Sequence, residues 1–248
     1  MEAGKNTKKW AWLGVATAVT LLVLIGYSQG YRFQNNFTIG KLGILSVNLP
    51  LSETLIYVDE TEKVKTTKDN ERVEIKLSPR THSIITSRIG YYPWTKQFIV
   101  PSGGNITLSP IFVSVNATGM IITDKDSEYW KIRDMLEKNQ LPAKNSPLES
   151  SDKKVIIWAD DNAIIAKVGS TTSTIVQPDT VIRNVAFYKD RSDAVIFSTY
   201  NAIYVIEINK EGMQNFFPIY KGTSPIFFKT DPNFIYVEDE TNLMQVMI

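Results

Sequence analysis

The sequence predicts a mainly β protein on one N-terminal transmembrane helix: an antiparallel β-sandwich followed by about three propeller-like β-blade repeats. Three observations carry this expectation. Trp10 to Tyr27 is an uncharged apolar run of eighteen residues. From Lys41 to Leu108, short segments alternate apolar and polar residues between turns. The last third repeats a strand–turn–strand unit at a period near 40.

The apolar run comes first. As a helix rising about 1.5 Å per residue it covers roughly 27 Å, close to the hydrocarbon thickness of a bilayer. Trp10, Trp12, Leu13, Leu21, Leu22, Leu24, Ile25 and Tyr27 are its expected membrane contacts, with aromatics at both ends where the interface lies. Lys5, Lys8 and Lys9 precede it, so the positive-inside rule keeps residues 1–9 cytoplasmic and sends everything after the anchor (10–30) outside. A cleaved signal peptide competes with this reading, but its apolar region spans only about 7–15 residues before a small-residue cleavage site. Gly26-Tyr27-Ser28 matches such a site poorly, and the chain has no cysteine for a lipoprotein anchor. An uncleaved signal-anchor in the cell membrane is therefore expected.

Beyond the anchor, Leu45, Val47 and Leu49 alternate, as do Val73, Ile75 and Leu77. Leu55–Val58, His82–Ile85, Lys96–Val100 and Ile106–Leu108 are further short apolar runs, with turn residues every eight to twelve positions. Period-two alternation at that spacing reads as an antiparallel sandwich. The stretch LGILSVNLP, the segment LIYVDE, the Leu77-Ser78-Pro79 turn before His82, and Gly90-Tyr91 ahead of the last strands resemble a PEGA domain. That resemblance implies a small extracytoplasmic β-sandwich over residues 41–113. The chain departs from the family at TEKVKTTKDNERVEI, where glycines and a proline are usual, and at Arg80-Thr81, where a glycine follows the proline.

Residues 114–150 form a helix and linker. In DKDSEYWKIRDMLEKNQ (124–140), Trp130, Arg133, Met135 and Leu136 can share one face of a short helix. Acids near its start and Lys138 near its end suit the helix dipole. Pro142 stops it, and the polar stretch LPAKNSPLESSDKK reads as a linker.

Residues 151–248 carry the repeats VIIWADDNAIIAKV, VIFSTYNAIYVIEI and FIYVEDETNLMQVM. Trp158, Phe197 and Tyr236 are 39 residues apart, and Asn162, Asn201 and Asn242 mark the turns. Such a period is the mark of propeller blades. SPLESSDKK resembles the blade-opening turn of TolB-like and WD40-like propellers, and Ser224-Pro225 echoes it. Three units are fewer than the roughly four to eight of a closed ring, so the repeats stay open or close by another route, such as oligomerisation. Anchor, PEGA-like module and short repeats together resemble envelope proteins of small-genome bacterial lineages.

Composition narrows the function. Lys+Arg is 27 against Asp+Glu 26, a net charge of +1 without a basic stripe, which speaks against nucleic acid. Hydrophobic content of 43% supplies a core without disulfides. The one histidine, His82, has no cysteine partner for a zinc site, and no serine sits in a G-x-S-x-G elbow. The acidic groups at Asp59-Glu60, Asp160-Asp161 and Glu238-Asp239-Glu240 lack calcium-loop spacing and read as hairpin turns. No metal, no cofactor and no catalytic residue is expected. Tyr91, Tyr92 and Trp94 in GYYPW are candidate contacts to a partner protein or glycan, against the alternative that they pack between strands. A non-enzymatic binding or scaffold protein follows, engaging the bilayer through one helix and an envelope protein or cell-wall or surface-layer polymer outside it. Self-association through open blades is the first alternative, and a carboxylate-dependent extracytoplasmic hydrolase the second.

Overall fold

The computed structural model describes residues 3–33 and 39–248. The chain is mainly β and falls into two compact units, Met1–Ile84 with Phe98–Pro110, and Ile85–Gln97 with Ile111–Ile248. This division cuts across the expected module 41–113: residues 85–97 and 111–113 group with the second unit. The physical reason lies in the hydrogen bonds that Trp94, Thr95 and Lys96 make to Glu207 and Asn215, far along the chain.

In the first unit, α1 (Ala3–Ser28) contains the whole apolar run and starts just ahead of the basic stretch. From Trp10 to Tyr27 the run is apolar on every face, so no single stripe directs it into a protein core. Gly30, at φ +87°, ends it in the left-handed conformation that glycine adopts freely. Arg32 then donates to the Tyr27 carbonyl at 2.8 Å, satisfying an acceptor the helix end leaves open. Strands β1 (Tyr31–Phe33) and β2 (Ile39–Lys41) pair antiparallel directly after it.

The rest of this unit is built on two sheets. Strands β3 (Gly43–Leu49), β4 (Leu55–Val58), β5 (Thr61–Lys65), β6 (Glu71–Leu77), β7 (Thr81–Ser87), β8 (Trp94–Ile99) and β9 (Asn105–Leu108) follow in the chain. Their spatial orders are β6-β3-β9 and β5-β4-β7-β8. Leu45, Val47, Leu49, Ile56, Val58 and Ile84 are at most 1% exposed and form the core of the unit. The all-antiparallel expectation needs one correction, because β3 and β9 run parallel with Leu45 opposite Ile106. The chain crosses through the other sheet before it returns beside β3, and such a crossover reverses the sense of pairing. Between β4 and β5, Asp59 and Glu60 form a two-residue loop with φ of 49° and 64°, the mirror-image turn that suits strand twist.

The second unit holds three four-stranded blades. Strands β11 (Leu148–Glu149), β12 (Val155–Asp160), β13 (Ala163–Val168) and β14 (Thr171–Val176) make the first, in that order. Strands β15 (Asn184–Phe187), β16 (Ala194–Ser198), β17 (Ala202–Glu207) and β18 (Phe216–Lys221) make the second. The third consists of β19 (Ile226–Phe228), β20 (Phe234–Asp239) and β21 (Asn242–Met247), completed at its edge by β10 (Gly119–Ile122) from the start of the unit. Gly119 pairs with Val246, so the two ends of the unit are stitched into one sheet. A side chain at Gly119 would collide with the Gln245 carbonyl, so glycine is what lets β10 approach.

Burial follows from the stacking of the blades. Ile157, Ile164 and Ala166 of the first meet Phe197, Val195 and Ile206 of the second in one core cluster. On the other side, Asn184 Oδ1 accepts the Phe227 amide at 3.0 Å, tying the second blade to the third. Flanked on both faces, β16 is buried at all five positions, which is why its sequence AVIFS shows no alternation.

One face of the third blade is covered by α2 (Tyr129–Lys138). Ile132 and Leu136 of α2 join Leu243, with Ile122, Ile226, Phe228 and Tyr236 packed around them. The expected helix is therefore present but turned. Ile132 and Leu136 face inward, while Trp130 is 69% exposed. Arg133 forms an ion pair with Glu238 on the covered face, fixing that rotation.

Candidate binding surface

The candidate contacts Tyr91, Tyr92 and Trp94 are packing residues to differing degrees. Trp94 is 2% exposed and donates its indole N–H to Glu207 Oε1 at 2.6 Å, so it offers no surface to a ligand, and its expected role is corrected. The Tyr92 ring stacks on Phe217 with centroids 5.5 Å apart. Tyr91 meets Phe112 edge-on at 6.0 Å, and the Arg88 guanidinium lies over its ring at 5.0 Å. Both tyrosines are half-buried. The ring faces that meet these partners are closed to a sugar.

Glu207 is the centre of a buried polar cluster. It accepts from Trp94, from Lys96 Nζ at 3.0 Å, and from the Asn215 side chain at 3.0 Å. Asn215 in turn bonds the Thr95 backbone in both directions. Every oxygen of this carboxylate is engaged, which is how a charge becomes tolerable at 7% exposure.

The acidic turns divide. Asp161 and Glu240 sit in left-handed turn conformations at the blade hairpins, at φ 50° and 56°. Asp239 accepts from Tyr220 Oη at 2.9 Å and from the Ser224 amide at 2.7 Å, bracing the loop before β19. Burial pushes the Tyr220 hydroxyl up to about 12, helped by the hydrogen bond and charge of Asp239. In the first unit, Asp59 Oδ2 lies 2.7 Å from Arg80 Nη2 and 2.7 Å from His82 Nδ1, while Oδ1 accepts the Ser83 amide. Burial alone would raise this carboxyl, but the Ser83 amide, His82 and Arg80 outweigh it and hold it below its ordinary range. His82 is 3% exposed, and its Nε2 faces the Ser78 carbonyl at 2.8 Å. These acids brace turns.

The expected membrane contacts are uncovered. Trp10, Trp12, Leu13, Leu21, Leu22, Leu24, Ile25 and Tyr27 are all between 54% and 76% exposed. Trp10–Ser28 is long and apolar enough to cross a bilayer.

The surface that sequence reasoning missed lies on the third blade. Strand β10 is its outer strand, and Met120 and Ile121 are 67% and 70% exposed. Between β10 and the start of α2 a cavity of about 450 Å³ opens, lined by Met120, Ile122, Asp126, Glu128, Ile132 and Tyr236 among others. Asp126 accepts from the Thr123 amide at 2.7 Å and from its hydroxyl, which hold its carboxyl below the ordinary range. The signal in the sequence was the apolar triplet Met120-Ile121-Ile122 isolated between polar turns, too short to mark a strand by periodicity.

No protein-family model matches the sequence, and no curated protein matches it. Among solved structures, the chain is similar to Kluyvelomyces marxianus Hsv2, at a TM-score of 0.29 and 13% identity over 73% of this chain and 50% of that one. It is also similar to streptogramin B lyase, at a TM-score of 0.30 and 14% identity over 73% of this chain and 70% of that one. The chain thus spans half the length of the Hsv2 chain, and likeness at these scores says nothing of what it binds or does.

Proposed function

We propose that this is a single-pass, signal-anchored envelope protein that works by binding or scaffolding rather than by catalysis. Its N-terminus is cytoplasmic, and both β units, the first of them PEGA-like, lie outside. The observation that carries the reading is the helix Trp10–Ser28, apolar around its whole circumference and exposed along its length. Such a surface is stable only in hydrocarbon or against a partner. The lysines ahead of it give the orientation. The absence of catalysis is supported by how the polar side chains are spent. His82, Asp59, Glu207 and Asp239 are each tied into bonds that brace turns or the core. With the GYYPW aromatics packed, a protein partner is favoured over a polymer.

The chain has no cysteine, so single-cysteine labelling reads its topology cleanly. Thr7→Cys and Lys144→Cys variants are treated in intact cells with a membrane-impermeant maleimide. Labelling at 144 and protection at 7 is the expected result. The reverse pattern overturns the orientation, and recovery of a shortened chain in the soluble fraction makes the helix a cleaved signal.

A further inference from the structure

The three blades guard their outer edges differently. The first ends in β14, whose Thr171 to Thr174 are polar and exposed. The second ends in β18, which carries Pro218. Polar residues and proline both discourage a further strand from adding to an edge. The third ends in β10, with neither device and with Met120 and Ile121 exposed.

The register shows which backbone groups that edge presents. Met247 N–H donates to the Thr118 carbonyl, so Thr118 and Met247 form a hydrogen-bonded pair. Antiparallel pairs alternate, so Met120 and Ile122 turn their N–H and C=O toward β21. Gly119 and Ile121 therefore aim theirs outward, at the free edge. Beside that edge, on the face covered by α2, lies the cavity with Asp126 and Glu128 in its wall and, among the described residues, no basic one lining it.

We propose that β10 accepts an extended peptide strand carrying alternating basic and apolar side chains, added as a fifth strand to the third blade. Gly119 and Ile121 supply the backbone hydrogen bonds. Side chains on one face of the added strand enter the cavity, where Lys or Arg meets Asp126 and Glu128. Those on the other face lie along Ile121. Charge selects this occupant over a second copy of the chain. Two β10 edges pairing about a two-fold axis would bring the same acidic walls together, and like charges oppose that. The inference rests on the reading of this chain as a binding protein. The labelling experiment above tests the topology in that reading and the peptide titration tests the binding, so the two can fail separately.

The full chain is placed in zwitterionic lipid nanodiscs and titrated against a fluorescein-labelled peptide of alternating lysine and valine, followed by anisotropy. Empty nanodiscs, a glutamate–valine peptide and an N-methylated lysine–valine peptide are the comparisons. Saturable binding of the lysine–valine peptide alone is expected. Ile121→Pro removes an outward N–H without touching the ladder to β21, and weakens binding by at least about tenfold. Glu128→Lys weakens the lysine peptide and favours the glutamate one. If Ile121→Pro unfolds, Ile121→Lys guards the same edge with a charge. No saturable binding, binding that ignores the edge variants, or equal binding of the N-methylated peptide overturns the proposal. A dimer that the edge variants convert to monomer, without effect on peptide, assigns the edge to a second copy instead.

Discussion

Trp94 and Glu207 are 113 residues apart in sequence and joined by a 2.6 Å hydrogen bond in the core of the second unit. The same carboxylate holds Lys96, whose side chain is 8% exposed. Removing one member of a buried ion pair leaves the other charge without compensation, at about 3–5 kcal/mol. Glu207→Ala should therefore lower the unfolding midpoint of the full chain in nanodiscs far more than the double replacement Lys96→Met, Glu207→Leu. Equal losses from the two variants would mean that packing, not charge, dominates this cluster.

The cover on the third blade gives a second test. Leu136 is 2% exposed and packs with Ile132 and Leu243. Leu136→Ala should cost about 2–5 kcal/mol, the usual range for a buried leucine. Because α2 is the cover on that face, hydrogen exchange should rise first in β20 and β21 and stay low in β16. A uniform rise across all blades would mean that the unit opens as one piece.

What the sequence made legible was local. The period near 40 and the turns at Asn162, Asn201 and Asn242 report hairpins whose strands are neighbours in the chain, and all three form. The anchor is a continuous run. Long-range pairings were hidden. Nothing near Met120 announces that β10 completes a blade more than a hundred residues later, because register there is set by β21. Glu207 closes the strand AIYVIE at a buried position. A lone acid among apolar residues signals a buried partner, but not that Lys96 is the one. The GYYPW aromatics looked the same whether packed or presented, since the rings that cover them, Phe112 and Phe217, come from distant segments.

Asp59 makes stability depend on acid. Burial by itself raises its carboxyl, and the Ser83 amide, His82 and Arg80 more than reverse that, holding it below the ordinary 3.8. A group whose folded value is lowered adds stability above its unfolded value, and that stability is lost as pH falls through the folded one. The unfolding midpoint of the wild type should thus drop as pH falls below about 4, and Asp59→Asn should flatten that part of the profile. At neutral pH the same variant should lose about 2 kcal/mol, as for a charged group that accepts hydrogen bonds. A parallel acid profile for the two proteins would remove Asp59 as the cause.

Tyr220 gives the alkaline counterpart. Its hydroxyl donates to Asp239 Oδ2 at 2.9 Å, and burial, with that bond and charge, pushes it from 10.0 up to about 12. A raised folded value favours the neutral phenol in the fold. The stability it contributes is complete below the unfolded value near 10 and is lost as pH rises toward 12. In a tyrosinate absorbance titration, Tyr220→Phe should remove a step near 12, while the buried Tyr188, also raised, still titrates later. Asp239→Asn keeps an acceptor but discards the charge, so it should move that step toward 10. Gly222→Ala should do the same without altering any charge, because a side chain there would run into both the Asp239 carboxylate and the Tyr220 ring and part the two. If Asp239→Asn moves the step and Gly222→Ala does not, the Asp239 charge adds to what burial does to Tyr220, and the close approach of Gly222 is incidental.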